Sequence, residues 1–132
     1  MVQIHSRSKR RSTGALVRKS KGKRKRELGR PPIETRLGTE KKKIIRTKGG
    51  GAKIKLFNID FVNVVNQKTG KIERVPIKKV EINHCSVDYS RRSIITKGAI
   101  LETELGYVRV TSRPGQSGIL NAVMVTDYKP KK

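Results

Sequence analysis

Residues 22–38 run Gly-Lys-Arg-Lys-Arg-Glu-Leu-Gly-Arg-Pro-Pro-Ile-Glu-Thr-Arg-Leu-Gly, a stretch dense in cation and nearly empty of core. Lys23, Arg24, Lys25 and Arg26, followed by Arg30, repel one another, and only Leu28, Ile33 and Leu37 are available for burial. Burial on that scale cannot offset the entropy of ordering the segment, so a polyanion must order it. Glycines at either end permit turns or close approach to a phosphate, while Pro31-Pro32 stiffens the middle into extended polyproline geometry. The stretch reads as an arm laid in a groove.

The chain has 132 residues and a formal charge of +23, with only 4% aromatic residues, which sets it apart from ordinary soluble enzymes. The charge is uneven: residues 1–55 hold 20 Lys and Arg against three acids, Glu27, Glu34 and Glu40. Self-repulsion of this size calls for a densely negative partner, nucleic acid before anionic membrane. No run approaches the length of a spanning helix, and the basic segments lack the Trp, Phe and Leu face that an interfacial helix inserts. The N-terminal cations are followed by no apolar stretch of a secretory signal, so the expectation is a cytosolic protein. Cys85 is the lone cysteine, which excludes an internal disulfide; with His5 and His84 it falls short of the four ligands of a structural zinc site. It is read as a small, semi-buried residue, and no metal or cofactor is expected.

Upstream, residues 6–14 run Ser-Arg-Ser-Lys-Arg-Arg-Ser-Thr-Gly, with no sustained period of two or of 3.6. Hydroxyl residues between Arg7, Arg10, Arg11 and later Arg18 suit phosphate contact, because Ser and Thr donate to oxygens beside an Arg fork. Residues 1–38 are therefore assigned as a basic extended arm that reaches on the order of 120 Å when stretched. The rest, a body over residues 39–128 and a short basic tail over 129–132, has an expected radius of gyration of about 12 Å. Such an arm reaches sites far beyond the globule that carries it, as a large folded RNA requires.

The body reads as β-structure. Residues 41–47 form a first strand, followed by Lys48, Gly49, Gly50 and Gly51, a turn whose bare amides can meet a phosphate. Residues 52–65 are rich in β-formers, with Phe57, Ile59 and Phe61 placed on one core-facing side. Pro76 interrupts the next run and predicts a bulge, an edge or a break. Residues 83–92 read as a polar loop in which Tyr89 beside Arg91 and Arg92 either clamps RNA or packs on the barrel rim. Ala99 to Leu105 and Tyr107 to Thr111 form a hairpin turning at Gly106, and Ile119 to Val125 is a central strand after a loop carrying Arg113. About six or seven short strands make the fold class all-β, a small antiparallel barrel with a long basic N-terminal arm and no helix longer than two turns.

The residues offer no catalytic constellation. Glu102 and Glu104 share a strand face, but pairing across the sheet with Arg109, Lys97 or Arg113 is the simpler role. His84 and Cys85 are adjacent and point to opposite sides of a strand. No segment matches a mononucleotide loop, a recognition helix with its partner, zinc fingers, or the aromatic signature of the common RNA-binding sheet. What remains is backbone and shape recognition by a basic arm on a β scaffold.

Ser12-Thr13-Gly14, the run from Gly22 to Arg30, Thr35, Gly38, Lys48-Gly49-Gly50, Thr96-Lys97-Gly98-Ala99-Ile100 and Val110-Thr111-Ser112-Arg113-Pro114-Gly115-Gln116 resemble the S8e family of small-subunit ribosomal proteins, in its compact archaeal form. The resemblance implies a structural constituent of the small subunit that binds ribosomal RNA and neighbouring ribosomal proteins in the cytoplasm, without a small-molecule substrate. Ile4 and Ser6 stand where the family has Trp and Gly, and Gly51 where it has Asn. The expected RNA contacts are Arg7, Arg10, Arg11, Arg18, Lys23, Arg24, Lys25, Arg26, Arg30 and Arg36 in the arm, and Lys48, Gly49, Gly50, Arg91, Arg92, Lys97 and Arg113 in the body. The alternatives are a ribosome-assembly factor sharing the domain and an architectural DNA-binding protein.

Overall fold

Side chains that alternate between apolar and polar bury one face of a strand, and most of the regular structure here follows that period of two. The computed structural model describes residues 7–22, 24–67, 69–126 and 128. Two compact units make up the chain, residues 1–32 and residues 33–132.

In the first unit the described residues form a small hairpin and one 3-10 turn. Val17 N donates to Lys9 O at 2.8 Å and Arg11 N to Ala15 O at 2.9 Å, around a turn closed by Gly14 at φ 85°. Lys25–Glu27 is the 3-10 turn. The arm thus has local folds where the sequence suggests extension, because Ser12-Thr13-Gly14 supplies turn residues between the cations.

In the second unit the chain passes through β1 (Thr35–Leu37), β2 (Lys41–Arg46), β3 (Ala52–Ile59), β4 (Phe61–Val65), β5 (Ile72–Ile82), α1 (Val87–Arg91), β6 (Ile94–Ile95), β7 (Ile100–Thr103), β8 (Gly106–Val110), α2 (Pro114–Ser117) and β9 (Asn121–Met124). Strands β4, β5, β7, β8 and β9 close into a barrel, and a four-stranded sheet has the order β2-β3-β1-β6. The core joins Leu56 and Ile59 of β3 to Val62, Val64, Val75, Ile77, Leu101, Val108 and Ala122 of the barrel.

The strand count exceeds the sequence expectation because short pieces were merged or passed over. Thr35–Leu37, expected in the arm, is β1, parallel to β3 and antiparallel to β6. Thr35 is buried and its Oγ1 donates to Leu56 O at 2.8 Å, so the compact unit begins at Ile33, six residues before the expected boundary. The run 52–65 breaks at Asp60 into β3 and β4, and the buried residue beside Ile59 is Leu56, while Phe57 and Phe61 are half-buried. Phe61 instead carries the Arg74 guanidinium 4.7 Å above its ring.

Pro76 does not break β5. It pairs with Phe61, and Ile77 N donates to Asp60 O at 2.8 Å. Since successive amides point to opposite sides, the donor that Pro76 lacks would face β7, whose last residue Thr103 pairs with Ile77. The register shifts fall after it, between Ile77 and Lys79 and between Val80 and Ile82. The barrel is also not wholly antiparallel. The β8–β9 connection through α2 returns the chain so that β9 closes on β4 in parallel, Val64 opposite Ala122.

Candidate nucleic-acid interface

Residues 1–32 contain twelve Lys and Arg against one carboxylate, Glu27. Lys21 Nζ lies 2.7 Å from Glu27 Oε1, and its hydrogen bond holds that carboxyl below the ordinary range. The charge of Arg26 lowers it further. Arg10 and Arg11 lie in the first strand of the hairpin, where Arg10 Nη1 donates to Gly14 O at 2.7 Å. Arg24 precedes the 3-10 turn and Lys25 and Arg26 lie in it; with Arg7, Arg18 and Arg30 they are exposed. Lys23, like Ile4, Ser6, His5 and the tail 129–132, lies outside the described residues.

In the body the expected contacts divide. Residues 87–91, expected in a loop, are the short helix α1, because Ser86 caps it, Oγ accepting from Asp88 N at 3.2 Å. The helix ends at Arg92, and Ser93 follows in the left-handed region at φ 53°. Arg91 is exposed and has no ion pair among the described residues. Arg92 is engaged: Nη1 lies 3.2 Å from Asp88 Oδ2, and Nη2 meets Glu34 Oε2. The Asp88 hydrogen bond, then the charge of Glu34, raise the guanidinium pKa further. Arg36 shares Glu34 at 3.3 Å, so the carboxylate bridges β1 to α1. Tyr89 is half-buried.

Lys97 stands at the lip of an open groove of about 760 Å³, lined also by Arg109, Thr111 and the β9 residues Val123 and Met124. Arg113 is exposed at the start of α2, and its carbonyl accepts from Gln116 N and Ser117 N. Gly49 and Gly50 sit at φ 77° and 79° in the turn Lys48–Gly50, with open space where a Cβ would stand. The positive φ angles make this the turn expected from sequence. Lys43, Lys53 and Lys55 were not singled out by sequence reasoning, and Arg109 only as a partner for Glu102 or Glu104. Lys53-Ile54-Lys55 already carries the alternation that places both lysines on one strand face, but the residue opposite them is a matter of register.

The carboxylates have structural partners. Glu102 pairs across β5–β7 with Lys79 at 3.5 Å, and Lys79 also lies 2.9 Å from Glu81; this replaces the expected pairing with Arg109, Lys97 or Arg113. Cys85 is exposed rather than semi-buried, its Sγ 3.4 Å from Thr96 Oγ1. Among the described residues no group of three His, Cys, Asp or Glu gathers at one point, and no helix is long and apolar enough to cross a membrane.

A family model described as "Ribosomal protein S8e" matches residues 4–125. The chain is 45% identical over 124 residues to the small ribosomal subunit protein eS8 of Methanospirillum hungatei, covering 94% of this chain and 99% of the relative. It is 46% identical over 121 residues to the eS8 of Methanococcus vannielii, covering 91% and 94%. Against the eS8 of Methanosarcina barkeri the identity is 45% over 118 residues, 89% of this chain and 94% of the relative. Matches of this extent show that the chain belongs to the ribosomal protein S8e family, whose members are structural proteins and not enzymes.

Proposed function

We propose that the chain is a structural constituent of the small ribosomal subunit, bound to its ribosomal RNA through the N-terminal arm and through loops of the barrel, in contact with neighbouring ribosomal proteins in the cytoplasm. The observation that carries this reading is the charge inventory of residues 1–32, where one carboxylate faces twelve cations. Such a segment is ordered by phosphates, whose neutralisation releases counterions. Arg91, Lys97 and Arg113 are body contacts of the same kind. Arg92 stays with Asp88 and Glu34 and orients α1 rather than the RNA.

The test is the double variant Arg24→Glu, Arg26→Glu in the full chain, titrated against the small-subunit ribosomal RNA of its own organism over a range of salt. Losing two phosphate contacts lowers the slope of log affinity against log salt by about 1.4 to 1.8, with body stability unchanged. An unaltered affinity removes the arm as the principal site. Sedimentation of tagged protein from cells separates the alternatives: migration with mature small subunits supports the reading, with precursor particles alone an assembly factor, and with DNA alone an architectural role.

A further inference from the structure

Strands β2 and β3 extend beyond the sheet as a two-stranded ribbon. β1 pairs with β3 only at Asn58 and Ile59, whereas β2 follows β3 from Asn58 out to Ala52. Residues 41–55 carry seven Lys and Arg and no acid. Lys43 stands directly opposite Lys55, and the next pair on that face is Ile45 and Lys53. Like charges set opposite each other destabilise a ladder. No carboxylate relieves them: among the described residues neither Lys43 nor Lys55 has an ion pair, and Lys53 Nζ only meets the Gln116 side-chain oxygen at 3.1 Å. The other face carries Ile44 and Ile54 opposite each other, 71% and 43% exposed, and the packing beyond β1 comes from α2, whose capping Gly118 lies against Ile54 of β3 and leaves β2 at the open edge. A two-stranded ribbon of this kind is marginal in water unless something stabilises it.

Lysine on an edge strand commonly guards against strand pairing with other chains. That purpose is met by β2 alone. It does not require Lys53 and Lys55 on the inner strand, nor two ammonium groups in register. We propose that this ribbon is a second, preformed RNA-backbone site, with Lys43, Lys53 and Lys55 gripping phosphates on one face and the Gly49-Gly50 turn meeting backbone at its tip. The inference rests on the RNA-binding reading above. It differs from the arm in mechanism, because the register that gathers the ammonium groups exists before binding, whereas the arm gains order from its partner.

The full chain carrying Lys43→Gln and Lys55→Gln is compared with the unaltered protein and with the Arg24→Glu, Arg26→Glu variant, using the organism's small-subunit ribosomal RNA as probe. The ribbon variant should lower the salt slope by about 1.4 to 1.8, roughly a tenfold difference in affinity loss between 50 and 200 mM salt. Its free-protein melting temperature should rise, since repulsion is removed. Lys43→Arg with Lys55→Arg should retain the slope. Lysine acylation read by mass spectrometry supplies a test without variants: RNA should protect Lys43, Lys53 and Lys55. An unchanged slope and unprotected lysines, with the arm variant still weakened, overturn the ribbon site and leave the RNA reading standing. If neither variant alters binding, both readings fall.

Discussion

Asn83 illustrates how a single buried amide ties three elements together. Its Nδ2 donates to Ile94 O at 2.9 Å, and its Oδ1 accepts from Cys85 N at 3.0 Å and Thr96 Oγ1 at 2.9 Å, while its backbone N donates to Ser90 Oγ at 2.7 Å. The end of β5, the helix α1 and the strand β6 are thereby tied at one point, which presents Arg91 to solvent. Asn83→Leu keeps the branched shape, adds some bulk and removes the hydrogen bonds to three partners, so it should cost about 2 to 4 kcal/mol in urea unfolding. A loss under about 1 kcal/mol would mean that water replaces the side chain at those partners. Nothing in Ile-Asn-His-Cys announces this role, since a lone Asn between strand residues equally suits a turn. Arg92 was legible as a cation but not as a committed one. Whether a guanidinium meets RNA or two carboxylates depends on Glu34, distant in sequence and brought beside it by the pairing of β1 with β6.

At the level of elements, alternation carried the reading furthest where strands are one-sided. The β7–β8 hairpin keeps its alternation, Leu101 and Val108 facing each other in the core, but it turns at Glu104-Leu105 and not at Gly106, which already opens β8 opposite Thr103. The run through Asp60 and the one through Pro76 misled in opposite directions, because a strand ends where its partner leaves and not at a residue type. Partner choice also decides the electrostatics of β5. Lys79 is placed opposite Glu102 by the register and beside Glu81 by the strand's own period, and the Glu81 hydrogen bond, then its charge, raise the ammonium pKa above 10.5. Because the folded pKa exceeds the unfolded one, the stabilisation is complete below pH 10.5 and is lost as pH rises through the raised value. Lys79→Gln should therefore melt below the unaltered protein at pH 8, and the gap should close in alkaline solution. Melting curves across that range check the sign; a gap constant with pH would exclude the ion pair as its cause.

For the whole molecule, every residue of the core cluster lies in residues 33–132, and none in residues 1–32. Removing residues 1–32 leaves a net charge of +12 out of +23, which lessens self-repulsion without taking away any of this core. The truncated protein should unfold cooperatively with a melting temperature equal to or above that of the full chain, while its RNA affinity falls and its salt slope flattens. A lost transition in calorimetry would show that the first unit holds the second together. An excess of charge with few apolar residues disfavours a core and alternating Val, Ile and Leu favour one, yet the compact unit begins at Ile33 and not at Thr39. The all-β class was readable in the chain, since it depends on composition and on spacing along it. The parallel closure of β9 on β4, the placing of β1 in the sheet, the tying of Arg92 to Asp88 and Glu34, and the opposition of Lys43 to Lys55 were decided only by tertiary structure. Each depends on which strand lies beside which and in what register, a choice made by packing both faces of the sheet at once, which no local run of residues encodes.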